Sequence, residues 1–351
     1  MKRVYFHIDE FNRDSMVASA LKKELKKNNV ELIYGNRFTT NKILKFFIKD
    51  FDLFIFPRAG FFKKFKRQNI KNIFLLFTEA IGTFNNENNR NYLEGTFFGS
   101  DFVSGNKEYF EMINLNLLWG PKIYSYIKKY YPDILDKFYV VGHPRYDSIF
   151  TKSILKKNNK IKIGIITGQI VLNDFQNRKP IEIITNRLKS KDKYIFYNKK
   201  LNKKLLSDPQ NIIDQTFREL IQIDLIIKLI DFLSKLDNVE IFIKFHPLEN
   251  NNFWLNYFKK HYNNLNLPKH TSVPFTVWAK KLDYIIGHAS TTFYDAISVD
   301  TIPISLEEMI GYNENDFYNN EDKSEIMKYV LRPKNFQEIE DIIINKKNLN
   351  Q

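Results

Sequence analysis

Cysteine is absent from all 351 residues. Its absence excludes a disulfide framework and any thiolate metal site, and it fits a reducing compartment. Glycine is sparse, at 12 residues, and neither a G-x-G-x-x-G turn nor a P-loop occurs, which speaks against a dehydrogenase or a kinase. No HExxH pattern is present, and the six histidines are scattered instead of spaced as ligands, so no metal and no cofactor is expected. No apolar run approaches the ~20 residues that span a bilayer. The opening "MKRVYFHIDEFNRD" meets charge too soon for a signal peptide. A cytoplasmic protein is the expectation.

What is present is a large core. A hydrophobic fraction of 43%, with 32 Phe and 19 Tyr, argues for a folded chain despite its many Lys and Asn. The length suits two domains of roughly 150 residues. The net charge of +14 would attract nucleic acid, an anionic membrane surface or phosphorylated substrates, or it reflects composition alone. The lysines lie scattered, with no RNP-like aromatic pattern, so nucleic acid is not expected as a partner. In "GFFKKFKRQN" Phe61, Phe62 and Phe65 interleave with basic residues, a pattern able to lie on anionic lipid at the inner membrane face.

Short, nearly all-apolar strands alternate with amphipathic helices. "RVYFHI", "VELIYG", "DLFIFP" and "NIFLLFT" read as parallel strands covered on both faces, and the helix after the first takes Asp14 as its N-cap. A polar stretch, "TKSILKKNNK", leads into a second start at "IKIGIITG". The expected division is residues 1–150 as an acceptor-binding domain and 160–333 as a nucleotide-sugar-binding domain. Residues 334–351 are expected as a C-terminal helix able to return to the first domain. Two doubly wound Rossmann-like α/β domains facing a central cleft would place ligands beyond the carboxyl ends of the strands.

The residues at those ends carry the chemistry. In "IFIKFHPLEN", Lys244 and His246 alternate onto one side of a strand end and Pro247 fixes the turn. The pair could neutralise a phosphate; alternatively Lys244 snorkels and His246 caps a turn. In "GHASTTFYDA", which carries His288, residues Ser290, Thr291 and Thr292 open a helix, where backbone N–H groups and hydroxyls suit an anion or serve as ordinary caps. We expect these two loops at adjacent strand ends. Thr167 and Gly168 form a single-glycine turn with room for a phosphate. Glu79 follows an apolar strand as either a catalytic or a solvated carboxylate. Arg13 is either a partner for an acceptor or donor carboxylate or a plain surface arginine.

The order "VVGHPRYD", "KFHP", "GHASTTFYDA" resembles bacterial surface carbohydrate biosynthesis proteins of the two-domain glycosyltransferase fold GT-B, akin to Kdo transferases and bacterial sialyltransferases. The resemblance spans most of the chain. It implies a glycosyltransferase that moves Kdo or another nonulosonic acid from a CMP-linked donor onto a surface glycan or lipid-linked acceptor. By the same resemblance Lys244, His246, Pro247, His288, Ser290, Thr291 and Thr292 bind the nucleotide, and Glu79 supplies the catalytic carboxylate. Where relatives have "GNPRFD" this chain has "GHPRYD", which keeps Pro144, Arg145 and Asp147, with Arg145 a further carboxylate partner. "LFTEAIGTF" offers Glu79 and Gly82 but one carboxylate where relatives have two. The alternatives are a CDP-glycerol or CDP-ribitol phosphotransferase of teichoic-acid type, a hydrolysing nucleotide-sugar epimerase, and a non-catalytic basic module that binds RNA or membrane.

Overall fold

The computed structural model describes residues 1–59, 70, 72–76, 98, 108–147, 160–189, 209–268, 273–288, 290–310, 326 and 328–344. The chain divides into two compact units, residues 1–150 and 151–351.

The first unit is built on a parallel sheet of strands β1 (Lys2–His7), β2 (Val30–Gly35), β3 (Leu53–Phe56), β4 (Ile73–Leu76), β5 (Leu115–Leu118) and β6 (Phe138–Val140), in the order β2-β1-β3-β4-β5-β6. The strands are short apolar runs because both sheet faces are covered. Tyr5, Phe54, Phe56 and Leu118 pack into one core, and Val4, Phe6, Leu32 and Ile55 into the other. Helix α1 (Phe11–Lys27) follows β1, and α2 (Arg37–Phe46) follows β2. Asn36 caps α2, its side chain accepting from the N–H groups of Phe38 and Thr39. Asp14 is not the N-cap of α1, as the sequence suggested. Glu10 holds that position, and the buried Asp14 reaches back from inside the first turn to accept the N–H groups of Asp9 (2.9 Å) and Glu10 (3.0 Å). Helix α3 (Pro121–Tyr130) starts with a proline, whose fixed φ and missing N–H suit a first turn.

The second unit holds β7 (Ile161–Ile166), β8 (Val239–Lys244), β9 (Tyr284–Gly287) and β10 (Ile302–Ser305), all parallel, in the order β10-β9-β7-β8. Helix α4 (Pro180–Lys189) and the long α5 (Pro209–Leu233) lie between β7 and β8, and α6 (Asn251–His261) and α7 (Phe275–Ala279) between β8 and β9. The short α8 (Thr292–Ile297) links β9 to β10. Ile226, Leu229 and Ile230 of α5, Trp254 and Phe258 of α6 and the strands form one core. Helix α9 (Phe336–Ile344) belongs to it as well. It buries Ile339 and Ile343 in the second unit's core, and its Ile342 carbonyl accepts from the Tyr284 hydroxyl. An apolar stripe seeks the nearest apolar face, and the second sheet supplies it.

Candidate functional site

Parallel strands put all their carboxyl ends on one edge of a sheet, and ligands settle where neighbouring strands send their connections in opposite directions. In the second unit that point lies between β7 and β9, since β7 leads to β8 on one side and β9 to β10 on the other. The two loops expected at adjacent strand ends are therefore not neighbours: β7 stands between β8 and β9, because the crossover from β8 passes over β7. Thr167 and Gly168, directly after β7, occupy the middle of the edge.

The loop after β7 is pinned from beneath by buried carboxylates. Glu249, only 2% exposed, accepts the Thr167 hydroxyl, the Gln169 N–H at 3.0 Å, the His246 N–H at 2.9 Å and the Trp254 indole N–H at 2.9 Å. Glu219 of α5 accepts the N–H groups of Val171 and Leu172, both at 2.9 Å. Farther along, Arg178 grips Asp174 with two guanidinium N–H groups, at 2.7 and 3.0 Å, which holds that carboxyl below its usual range. None of these carboxylates was singled out from the sequence. Glu249 left one readable sign, a carboxylate three residues after His246 at a strand end, the spacing with which a side chain returns to a backbone N–H.

His246 stands in a closed turn. Its carbonyl accepts the Glu249 N–H at 3.0 Å, and its Nδ1 accepts the Leu248 N–H at 3.1 Å. In the neutral ring this places the proton on Nε2. Pro247 is exposed on the same turn. Lys244, the last residue of β8, sends its ammonium to the Val273 carbonyl at 2.9 Å, with the Trp278 ring centroid at 5.7 Å, and burial brings its pKa down to about 8. His246 thus caps its turn, and the Lys244 ammonium, drawn to Val273, does not snorkel to water. The ammonium is directed to the 273–278 segment instead of pairing with the His246 ring.

After β9, Ser290 caps the next turn. Its hydroxyl oxygen accepts the Thr292 N–H at 3.3 Å and lies 2.9 Å from the Thr292 hydroxyl. Thr291 is the N-cap by position but makes no side-chain cap bond. The helix is six residues long, so its dipole is small. His288 is almost wholly enclosed, and neither ring nitrogen meets hydrogen-bond geometry with a described residue. Burial first, then the nearby Arg218, pushes its pKa down to about 3. The Gln222 backbone pulls the other way without reaching bonding geometry. The ring is neutral, so the Glu307 carboxylate 3.7 Å from Nδ1 is a polar neighbour and not an ion-pair partner.

In the first unit the corresponding point lies between β1 and β3. His7 ends β1 with Nδ1 against the Thr40 hydroxyl, which also lies 2.8 Å from the Tyr5 hydroxyl and 2.9 Å from the Asn36 carbonyl. Asp9 follows it and lies 3.5 Å from Arg58, which follows β3. Arg145 rides a turn, Pro144–Tyr146, that packs against α1, the helix whose first turn carries Arg13. Glu79, Gly82 and the segment with Phe61, Phe62 and Phe65 lie outside the described residues. Among the described residues no group of three or more His, Asp or Glu could hold a metal ion, and no helix is long and apolar enough to cross a membrane.

Comparison of the whole chain with solved structures decides the fold class. The chain shares the fold of a teichoic acid polymerase. A variant of the wall teichoic acid polymerase TagF soaked with CDPG is 10% identical, with a TM-score of 0.55 over 98% of this chain and 82% of that one. Unaltered TagF is 9% identical, with a TM-score of 0.54 over the same shares. MnaA of S. aureus with UDP is 11% identical over 99% of this chain and 89% of that one, at a TM-score of 0.45. The fold class is the GT-B class expected from the sequence, with two Rossmann-like α/β units. No protein-family model and no curated protein matches the sequence.

Proposed function

We propose that this chain is a GT-B glycosyltransferase of cell-surface polymer synthesis that takes its donor as a cytidine nucleotide. The observation that carries the reading is the carboxyl edge of the second sheet, where Gly168 after β7 and His288 and the Ser290–Thr292 cap after β9 flank the switch point, and the His246 turn follows at the end of β8 on the other side of β7. Donor phosphate would be met by the His246 ring and the Ser290 and Thr292 groups, with Lys244 as the nearest ammonium on β8 and Pro247 and Thr291 shaping the turns. Thr167 serves the same loop, its hydroxyl given to Glu249. The donor of this reading is CMP-linked Kdo or a related nonulosonic acid, and Arg13 and Arg145 are the candidates for a carboxylate on donor or acceptor.

In the transfer, an acceptor hydroxyl oxygen bonds to the anomeric carbon while that carbon's bond to phosphate oxygen breaks. The phosphate leaves with the electron pair, and the hydroxyl proton goes to a carboxylate, for which Glu79 is the candidate. The acceptor is a glycan or a lipid-linked glycan met at the cytoplasmic face of the membrane. A second reading has its own support: the likeness to TagF, soaked with CDPG, favours a phosphotransferase with a CDP-glycerol or CDP-ribitol donor. There the acceptor hydroxyl oxygen bonds to the phosphorus that carries glycerol or ribitol, that phosphorus loses its bond to the bridging oxygen, CMP leaves with the electron pair, and the hydroxyl proton goes to a carboxylate.

Calorimetry with CMP, CDP, UMP and UDP, followed by turnover with CMP-Kdo and with CDP-glycerol, tests both. Binding of CMP or CDP over the uridine nucleotides is expected, and the productive donor selects between the readings. Glu79→Gln should cut transfer by roughly 100-fold while CMP affinity stays unchanged. Failure of every cytidine nucleotide to bind, with salt-dependent RNA binding in its place, would refute the enzyme and leave a basic binding module.

A further inference from the structure

Glu249 is an ionisable side chain in an interior position, and the hydrogen bonds recorded for it all come from neutral donors. Burying a carboxylate is unfavourable unless its acceptor sites are filled, and here each oxygen takes two donors. Oε2 receives the Thr167 hydroxyl and the His246 N–H; Oε1 receives the Gln169 N–H and the Trp254 indole N–H. One side chain thus ties the loop after β7, the turn after β8 and the core of α6. We infer that Glu249 is a positioning residue that fixes the His246 ring for the donor phosphate, an inference that rests on the nucleotide-donor reading above.

The geometry is reciprocal. Glu249 accepts the His246 N–H, the His246 carbonyl accepts the Glu249 N–H, and the Leu248 N–H between them sets His246 Nδ1 as acceptor. Loosening Glu249 frees the turn, and the ring loses the bond that keeps its proton on Nε2. A second consequence follows from charge. The Thr167 hydroxyl and the His246 and Gln169 N–H groups, suited by type to a phosphate, already serve an anion built into the protein. The donor phosphate is left to the His246 ring and to the groups after β9.

The test is a double-mutant cycle on the full chain, with CMP affinity read by calorimetry and the His246 ring by 15N NMR without ligand. His246→Ala should weaken CMP by about 10- to 100-fold and Glu249→Gln by about 10-fold, amounts expected for charge-assisted hydrogen bonds. If Glu249 acts through His246, the double variant should bind no more than about twofold more weakly than His246→Ala alone. The ring proton should sit on Nε2 in the unaltered protein and be shared between tautomers in Glu249→Gln, a readout that a merely structural brace would leave in place. Thr167→Val, nearly isosteric, should shift both readouts the same way by less, and it decides the matter if Glu249→Gln fails to fold. Additive losses, or an unmoved tautomer, would overturn the inference while leaving the donor reading standing. Absence of CMP and CDP binding by the unaltered chain would instead overturn the donor reading, and the inference with it.

Discussion

Lys244 offers a pH dependence whose sign can be worked out. Its ammonium has the Val273 carbonyl and the Trp278 ring as company, yet burial prevails and lowers its pKa from the ordinary 10.5 to about 8. A lysine depressed in the folded state binds fewer protons there than in the unfolded chain between these two values. Stability contributed by this group therefore rises with pH across that window. The interval corresponds to about 3 kcal/mol, or about 2 kcal/mol once the solvent that still reaches the side chain is allowed for. Tyr5 and Tyr284, both raised to about 12 by burial, act in the opposite sense. Their contribution is complete below pH 10 and is lost as pH rises toward 12, so the measurement belongs between pH 7 and 9.5. Urea denaturation of the unaltered chain and of Lys244→Met should give stability curves that diverge over this range, with the unaltered chain gaining on the variant. Parallel curves would refute the argument that burial governs this lysine. If phosphate binds beside it, CMP association near pH 9 should also take up a proton, visible as a dependence of binding heat on the buffer.

Two further outcomes concern the sheets themselves. Asn116 is fully buried in β5, and its amide has no hydrogen-bond partner among the described residues, so Asn116→Leu should stabilise the first unit by about 1–2 kcal/mol in urea denaturation; a loss would show that the amide has a partner in solution. At Gly287 an added Cβ would lie 2.2 Å from Ile166 Cγ1 and 3.2 Å from the Ile166 carbonyl oxygen, so Gly287→Ala should destabilise the second unit by about 1–3 kcal/mol, and an unchanged denaturation midpoint would contradict that close approach.

Much of the fold was legible because buried parallel strands announce themselves: "LFIF", "IFLL" and "YIIG" carry no polar residue to argue for another structure. Strand order was not. That β7 separates β8 from β9 depends on which way each crossover turns, a choice made by packing and absent from any residue spacing. The candidate site was legible as positions on the sheet and not as partners. His246, His288 and Ser290 do stand at carboxyl ends of one sheet, but the sequence gives no sign that Thr167 spends its hydroxyl on a carboxylate 82 positions away. Nor does the Lys244–His246 spacing reveal that Val273 takes the ammonium. Asp14 was misplaced because an acidic residue near a helix start fits both a cap and a side chain reaching back to one.

The three tryptophans of the chain fall usefully. Trp119 lies in the first unit, its ring centroid 4.6 Å from that of His143, while Trp254 and Trp278 lie in the second. The indole N–H of Trp254 is bonded to Glu249, so this chromophore is wired to the hub that joins two site loops. Its emission would respond to any ligand that disturbs that carboxylate, before a single label is attached. With Trp278 changed to phenylalanine, the remaining pair would give one optical probe per unit, and the two halves of the molecule could be watched unfolding separately in one cuvette.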